Sequence, residues 1–450
     1  MQTGSMTDGS IWKKMLLFAI PILLGNLFQQ FYNAFDSWVV GKFLGDSALA
    51  AVSSSASLIF MMVGFFNGVA MGAGVIIARY FGAKDYKAMS DAIHTDIAFG
   101  LAAGALLTVL GVSFTPTILR WMGTPENVLP QSITYFRFYF FGALFTVMYN
   151  VFVGILHAVG NSRDPLCYLI ISTCVNIVLD LVLVGVFRLG VGAAAMATTV
   201  SQGISAALCC IKLMTVDAPY RMQLNSIRFR KNSFSGILYN GLPAGVQNSV
   251  IGLANLVVQS SINSFGDAAM AGCGSYAKIE GFVFLPVTCF SMALATFVSQ
   301  NLGAGKTDRV KKGAVFGTVC SCLMAELIGI VGYFLAPRLI GIFQGSGAVI
   351  DFGTRHMRVI CRFYFLLSFS HCAASILRGA GKATVPMFTM LICWCVSRVS
   401  YITVMVPHFN QLETVSWAYP LTWTLSSVVF LVCLLKSDWM HAYAPADNHT

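Results

Sequence analysis

Long apolar stretches separated by short polar loops alternate along almost the whole chain. Most of these stretches have at least the length of about 20 residues that a helix needs to cross the hydrocarbon core of a bilayer. Twelve runs can be drawn, near residues 15–40, 47–75, 90–115, 131–157, 166–187, 191–214, 237–263, 268–299, 313–337, 356–377, 384–407 and 415–435. The pattern predicts an all-α polytopic membrane protein of twelve transmembrane helices.

Composition strengthens this prediction. The 450 residues are 57% hydrophobic and 10% charged, whereas a soluble domain carries about 25% charged residues. The chain has too little polar side chain to cover a water-facing surface, so membrane lipid is its solvent. A net charge of +10 would suggest nucleic acid as the partner of a soluble protein. Here the basic residues lie in short loops between apolar runs, and we expect no nucleic-acid partner.

The basic residues of alternate loops predict the orientation. One set of loops and ends holds 18 Lys and Arg residues, and the other holds only Lys42, Arg120, Arg188 and Arg338. Cytoplasmic loops of membrane proteins carry the excess of positive charge. We therefore expect a multi-pass protein of the plasma membrane with both termini in the cytoplasm.

The chain repeats itself at a constant offset of 221 residues. Five pairs share this offset: Gly45 and Gly266, Gly82 and Gly303, Gly160 and Gly381, Pro165 and Pro386, and Cys174 and Cys395. Six helices per half is an even number, so both halves enter the membrane in the same sense as parallel repeats. We predict an N-terminal lobe over 1–214, a basic cytoplasmic linker over 215–235 and a C-terminal lobe over 236–450. A central cleft between the lobes would serve transport.

The sequence from Gly303 to Thr307, GAGKT, resembles the end of a phosphate-binding loop. The first glycine of that motif would stand five residues before Gly305, where the chain has Gln300. The stretch is a loop between apolar runs, and it does not indicate ATP as the energy source.

Two carboxylates inside apolar runs are the main candidates for chemistry, because ionisable groups within the membrane are costly and usually functional. Asp36 lies in the first run, and Asp180 lies in the fifth, one turn after Asn176. Asp36, Asp180 and Thr198 of the sixth run lie six to ten residues from outer-loop charges, or roughly 9 to 15 Å inward. They therefore occupy one layer.

Two buried carboxylates cannot both stay ionised without a counter-charge, so such a pair takes up a proton or binds Na⁺. Asn176 and Thr198 would supply neutral oxygens, and no other metal or cofactor is expected. Pro21 in the helix of Asp36 offers a hinge, since proline leaves a backbone carbonyl unpaired. The residues leave H⁺ and Na⁺ open. The alternative is that Asp36 only pairs near the interface, for instance with Lys42.

Several stretches resemble the multidrug and toxin extrusion (MATE) transporters. They are Leu27–Ser37, Gly41–Asp46, the sequence QNLGAG at 300–305, and Leu377–Gly381. The resemblance covers residues 11 to 435 and implies cation-driven export of amphipathic, often cationic, organic compounds. The DinF-like branch is matched at Pro21, Asp36, Asn176, Asp180 and Thr198, and the resemblance adds Tyr32 and Tyr135 as network partners. The acids that the NorM-like branch has in its seventh and tenth helices are missing, which speaks against a carboxylate site in the second lobe.

Three functions compete. The first is a cation-coupled antiporter that exports small amphipathic drugs or metabolites by alternating access, and we expect it to act as a monomer. The second is a flippase for a lipid or a lipid-linked sugar, although such flippases often have more helices and a strongly basic cleft. The third is a membrane-embedded enzyme, which the near-duplicate halves and the lack of an HExxH motif make the weakest hypothesis.

Overall fold

The computed structural model describes residues 5–440 apart from 122, 123, 125, 127, 344 and 345, and the side chains of these residues apart from 46, 47, 49, 50 and 53–63. Over this range the chain is helical and contains no strand. Its helices are α1 (Ile11–Leu44), α2 (Asp46–Ala83), α3 (Tyr86–Trp121), α4 (Leu129–Phe141), α5 (Ala143–Ala158), α6 (Arg163–Asp180), α7 (Val191–Thr215), α8 (Lys231–Asn263), α9 (Asp267–Gly303), α10 (Thr307–Gly341), α11 (Gly347–Cys361), α12 (Tyr364–Gly379), α13 (Thr384–Met390), α14 (Ser397–Phe409) and α15 (Leu412–Lys436).

The helices have the length and composition of membrane spans. Within the described residues, ten helical segments are long and apolar enough to cross a bilayer, and two bent pairs raise the total to twelve if each pair is one span. The pairs are α4 with α5, bent by 45°, and α11 with α12, bent by 53°. The predicted fold class, an all-α polytopic membrane protein, is confirmed. Helices satisfy their own backbone groups, which lipid cannot do.

The break between α4 and α5 falls at Gly142, where α7 packs closely. A Cβ atom at this position would lie 2.4 Å from Oγ1 of Thr199 in α7. Thr199 also donates a hydrogen bond of 3.1 Å to the carbonyl of Phe138, in the last turn of α4. Only glycine lets α7 approach the break this closely, because any side chain would collide with it.

The two halves repeat element by element. Five helices of the first half, α2, α3, α5, α6 and α7, begin 221 residues before α9, α10, α12, α13 and α15. The turns repeat as well, since Gly45 and Gly266 share a left-handed φ of 87° and 89°. Gly160 and Gly381 do the same at 82° and 84°. Glycine adopts these angles without a steric penalty, which explains why both copies have it there.

The chain forms two compact units, and a single cut in the middle of the chain does not separate them. The first unit consists mainly of Leu24–Leu242, and the second of Met6–Leu23 together with the chain from Pro243 onward. Helix α1 thus divides near Pro21, and α8 divides at the equivalent Pro243. The predicted lobes 1–214 and 236–450 and the linker 215–235 stay predictions, although α8 begins inside that linker, at Lys231.

The segment that precedes α8 is fastened to α3 within the first unit. Arg230 forms an ion pair of 2.8 Å with Asp91, and the backbone N–H of Gln223 donates to Nε2 of His94 at 3.0 Å. Thr95 accepts a hydrogen bond of 3.3 Å from the backbone of Arg230. These contacts hold the chain around Gln223 and Arg230 in a defined conformation against α3.

The segment that precedes α1 is fastened in the same manner within the second unit. Gln300 accepts a hydrogen bond of 2.8 Å from the backbone of Met6, whose side chain is buried. Lys306 pairs with Asp8 at 2.6 Å, and Arg309 donates to the carbonyls of Met6, Asp8 and Gly9. The loop that resembles the end of a phosphate-binding motif thus docks the start of the chain.

Candidate ion-coupling site

Asp36 lies in the C-terminal part of α1 and is buried, with 8% of its surface exposed. The alternative hypothesis pairs it with Lys42, six residues further along the helix. In the structure the ammonium of Lys42 instead lies over the ring of Trp38, 4.6 Å from its centre. Asp36 is in none of the ion pairs found among the described residues.

Asp180 ends α6 and is fully buried. In the side-chain orientation that satisfies its hydrogen bonds, the Asn176 amide nitrogen donates to Oδ2 of Asp180 at 2.9 Å. Its amide oxygen accepts from the backbone N–H of Thr198 at 3.3 Å. The two residues do share one face of α6, as their spacing predicts. A π-helical turn, Leu181–Val186, follows directly; such turns are frequent at functional sites.

The two carboxyl groups meet. The side chains of Asp36 and Asp180 lie close enough to interact directly. Two neighbouring buried carboxylates repel each other, so the pair favours a state in which a proton or a cation is bound. The Oδ1 atoms of both residues are buried and accept no hydrogen bond. These two oxygens are therefore available to a proton or to a small cation.

Tyr32 connects α1 to α7 beside this pair. Its hydroxyl lies 2.9 Å from Oγ1 of Thr198, which itself donates to the carbonyl of Ala194 at 3.2 Å. The hydrogen bond between the two hydroxyls therefore links α1 to α7. The side chain of Thr198 thus contacts Tyr32, and its backbone N–H contacts Asn176.

Two tyrosines of α4 complete the cluster. Tyr135 is buried and interacts electrostatically with both Asp36 and Asp180. Tyr139 stacks on Tyr135 with ring centres 6.4 Å apart, and the sequence prediction does not include it. The signal that could have found it is the tetrapeptide Arg-Phe-Tyr-Phe at 137–140, which recurs at 362–365.

Pro21 lies inside α1, fifteen residues before Asp36, and the helix continues through it. A proline in a helix interior has no N–H to donate, so the carbonyl of Leu17 lacks its usual partner there. The first segment of the second unit, Met6–Leu23, ends two residues after Pro21. Pro21 is therefore the point at which α1 bends most easily. It lies between the acidic cluster and the segment that precedes α1.

In the second unit, neutral side chains lie in the seventh and tenth spans, where the NorM-like branch has acids. Gln247 of α8 donates to Sδ of Met390 at 2.9 Å. Ser370 of α12 lies 2.8 Å from Oγ of Ser426, and His371 packs its ring against Phe284 with centres 4.9 Å apart. Among the described residues, no group of three or more His, Cys, Asp or Glu side chains forms a metal site.

Comparison with known proteins places the chain within a family. The sequence model of the MatE family matches residues 21–182 and again 243–403. Each match covers one of the two repeats, and together they cover well over half of the chain.

Relatives align over most of their length. A probable multidrug resistance protein of Bacillus subtilis, YoeA, is 27% identical over 94% of this chain and 93% of its own. The multidrug export protein MepA of Staphylococcus aureus strain N315 is 23% identical over 83% of this chain and 82% of its own. The outward-facing structure of a multidrug resistance MATE family transporter is 21% identical, covers 95% of this chain and 96% of its own, and has a TM-score of 0.88. That likeness concerns the fold.

Proposed function

The chain belongs to the MatE family of multidrug transporters, which are membrane transporters and not enzymes, and from this premise we propose that it is a cation-coupled antiporter. Its cargo would be small amphipathic organic compounds, often cationic, which leave the cell as H⁺ or Na⁺ enters. The plasma membrane holds it with both termini in the cytoplasm, and one copy suffices for transport.

The observation that carries this proposal is the pair Asp36 and Asp180. Two interacting buried carboxyls, each with an oxygen that lacks a hydrogen-bond partner among the described residues, are suited to the exchange of cations. Binding changes the charge of the pair inside a medium of low dielectric, where such a change has large energetic consequences. Asp36 lies in the outer half of α1, the helix that contains Pro21. A change in the charge of the pair can therefore favour or disfavour a bend of this helix at Pro21. Alternating exposure of the cargo site to the two sides of the membrane would follow.

The test is efflux of a fluorescent organic cation from proteoliposomes under imposed gradients. An inward proton gradient and an inward sodium gradient are applied separately, each with the membrane potential clamped. We expect one of the two gradients to drive efflux and thereby to identify the coupling ion. Efflux that persists after both gradients are collapsed would overturn the antiporter.

One observation favours the second candidate, a lipid flippase. An apolar groove of about 560 Å³ opens beside the break between α4 and α5 and is lined by Phe138, Phe141, Phe145, Met196, Val200 and Ile204 among others. Five of these side chains are more than a third exposed, as they would be on a lipid-facing surface. An acyl chain fits such a groove. Fluorescent-lipid scrambling in the same proteoliposomes tests it: transfer of lipid without efflux of the cation would favour the flippase.

A further inference from the structure

The second unit holds a positive charge inside its membrane spans. Arg398 of α14 is 2% exposed, and its guanidinium donates to Oδ1 of Asn255 at 3.4 Å and to Oγ1 of Thr422 at 3.2 Å. The same group lies over the rings of Tyr419 and Trp394, at 4.6 and 5.5 Å from their centres. No ion pair within 4.0 Å involves Arg398 in the part of the chain that the structure describes.

The residues around Arg398 lie on the repeat counterparts of the helices that carry the first unit's cluster, and Tyr419 aligns with a member of that cluster. The 221-residue offset aligns Arg398 with Ile177, beside Asn176, and aligns Tyr419 with Thr198. The offset of 222 that relates Pro21 to Pro243 aligns Asn255 with Asn33, one residue after Tyr32. Helices α8, α14 and α15 therefore surround a cation, where the equivalent segments of the first repeat, in α1, at the end of α6 and in α7, bring together two acids.

Among the described residues, the one acidic side chain that faces Arg398 comes from a different helix. Glu280 of α9 interacts electrostatically with the guanidinium, and its Oε1 accepts from the hydroxyl of Tyr276 at 2.9 Å. His356 packs edge-on against Tyr276, with ring centres 4.9 Å apart, and its Nδ1 lies 2.7 Å from Oγ of Ser416. The one fixed positive charge and the one acid of this centre balance each other without a bound ion.

We propose that Arg398 is a built-in cation, which takes in the second unit the place that the transported ion takes in the first. The inference rests on the proposed function, because it compares Arg398 with the ion bound at Asp36 and Asp180. Arginine suits the role: its guanidinium is permanently charged, is weakly hydrated and packs on aromatic faces. The second unit then requires no transported cation, and the first unit alone sets how many ions move per cargo molecule.

Chemical rescue tests the proposal directly. Arg398→Ala removes the charge and leaves a space of guanidinium size between Asn255, Thr422 and the two rings, opposite Glu280. We expect the purified variant in lipid nanodiscs to have a lower Tm than the unaltered protein. Guanidinium chloride at low millimolar concentration should raise the Tm of the variant most of the way back to that of the unaltered protein. Choline chloride at equal ionic strength should not raise it.

The control for rescue is Arg362→Ala, which removes an exposed arginine that lies over the ring of Tyr333 at 4.9 Å from its centre. Its Tm should not respond to guanidinium, and neither should that of the unaltered protein. A Tm of Arg398→Ala that equals the unaltered protein's, or a loss that guanidinium does not restore, would overturn the proposal.

Two further variants keep the proposal testable if the alanine variant cannot be purified. Arg398→Lys keeps the charge, whereas Arg398→Met keeps the apolar stem without it, and both can be compared in crude membranes by fluorescence-detected size exclusion. The proposal expects the lysine variant to be the more stable, and equal stability of the two would contradict it. These readouts need no transport, so they can fail or succeed independently of the efflux test of the proposed function.

Discussion

At the scale of single residues, the cluster around Asp36 and Asp180 is organised by neutral partners. Asn176 donates to one carboxyl, and Tyr32 bonds to Thr198 next to it. Within the described residues, neither acid forms an ion pair with Lys or Arg. A permanent counter-charge would hold both acids ionised; without one, the charge of the pair depends on the cation that it binds.

Replacement of Asp36 by Asn should abolish ion-driven efflux. The amide keeps the size and the hydrogen bonding of the side chain but cannot release a proton or balance a cation. The measurement is efflux rate against gradient size in proteoliposomes, at matched amounts of protein. Asp217→Asn, an exposed acid of the linker, is the matched control and should retain full rate. Unchanged efflux in Asp36→Asn would remove the proposed coupling site.

Tyr32→Phe should weaken the cluster without destroying it. The change removes one hydroxyl, whose 2.9 Å contact positions Thr198, and one such bond contributes about 1 kcal/mol. We expect the ion concentration at half-maximal efflux to rise about fivefold with an almost unchanged maximal rate, because 1.4 kcal/mol corresponds to a factor of about 10. Tyr86→Phe, on an exposed residue at the start of α3, is the control. A loss of maximal rate instead would indicate a role in the transport step.

The residues of the cluster could be predicted, and most of their contacts could not. Acids inside apolar runs are conspicuous, because burial of a charge in lipid is costly. The depth predicted for Thr198 put it in the layer of the two acids, and the structure joins it to Tyr32 and Asn176. Its contact to Asn176 through the backbone and the stacking of Tyr139 depend on how α4, α6 and α7 pack, which residue spacing within one helix does not encode.

At the scale of elements, the two proline-containing helices α1 and α8 stand out. Each is continuous over more than 30 residues, yet its two ends belong to different compact units. Each leading segment is fastened by hydrogen bonds at its polar end. Helices that carry an interior proline bend there in preference to other places, so Pro21 and Pro243 are the expected bending points.

Pro21→Ala and Pro243→Ala should each make the protein more stable and slower. Proline in a helix interior costs about 3 kcal/mol relative to alanine, so Tm should rise while the maximal efflux rate falls. Pro116→Ala in α3 is the control, because its Tm should rise without loss of rate. Full efflux by both hinge variants would show that bending at these prolines is not required.

The repeat was predictable at this scale, whereas the helix ends were less so. Glycines at 45, 160, 266 and 381 mark equivalent turns, because a left-handed φ selects glycine wherever the fold needs it. Apolar runs fix only the part of a helix that lies in lipid. For this reason α1 begins at Ile11 and α11 at Gly347, both earlier than the runs predicted from hydrophobicity.

At the scale of the whole molecule, the chain is interleaved between its units. The second unit contains Met6–Leu23, and these residues are separated from the rest of that unit by the entire first unit. Hydrophobicity along the chain does not reveal such an arrangement, since it arises from long-range packing. The QNLGAG stretch is recognisable as a motif in the sequence, but its role as a dock for the start of the chain becomes apparent only from the contacts of Met6.

Arg309→Ala should release the start of the chain from the second unit. The guanidinium donates four hydrogen bonds to three backbone carbonyls there, and the substitution removes them together. Hydrogen–deuterium exchange of the peptide that contains residues 6–9 should rise at least tenfold. Lys312→Ala, an exposed residue on the same helix, should leave the exchange unchanged. Equal exchange in the two variants would show that Arg309 does not hold the segment.

Acid should loosen the same segment. The hydrogen bond from Lys306 holds the pKa of Asp8 below its ordinary value of 3.8. A lowered pKa in the folded state means that the contact stabilises the segment fully above 3.8 and is lost as the pH falls below that value. Exchange at residues 6–9, corrected for intrinsic rate, should therefore rise below about pH 4 and be flat above pH 5. Asp8→Asn should abolish that dependence; its persistence would assign it to another group.

The interleaving also says something about origin. The leading segment of each repeat belongs to the unit that most of the other repeat forms. Met6–Leu23 leads the first repeat but lies in the second unit, and the segment that ends at Leu242 leads the second repeat but lies in the first unit. A single-repeat ancestor with this architecture would have been a homodimer whose copies exchanged their first helical segments, which is domain swapping. Gene duplication and fusion would preserve the exchange, since the second segment needs only a linker to stay attached. A half of this protein expressed alone should therefore pair with its like.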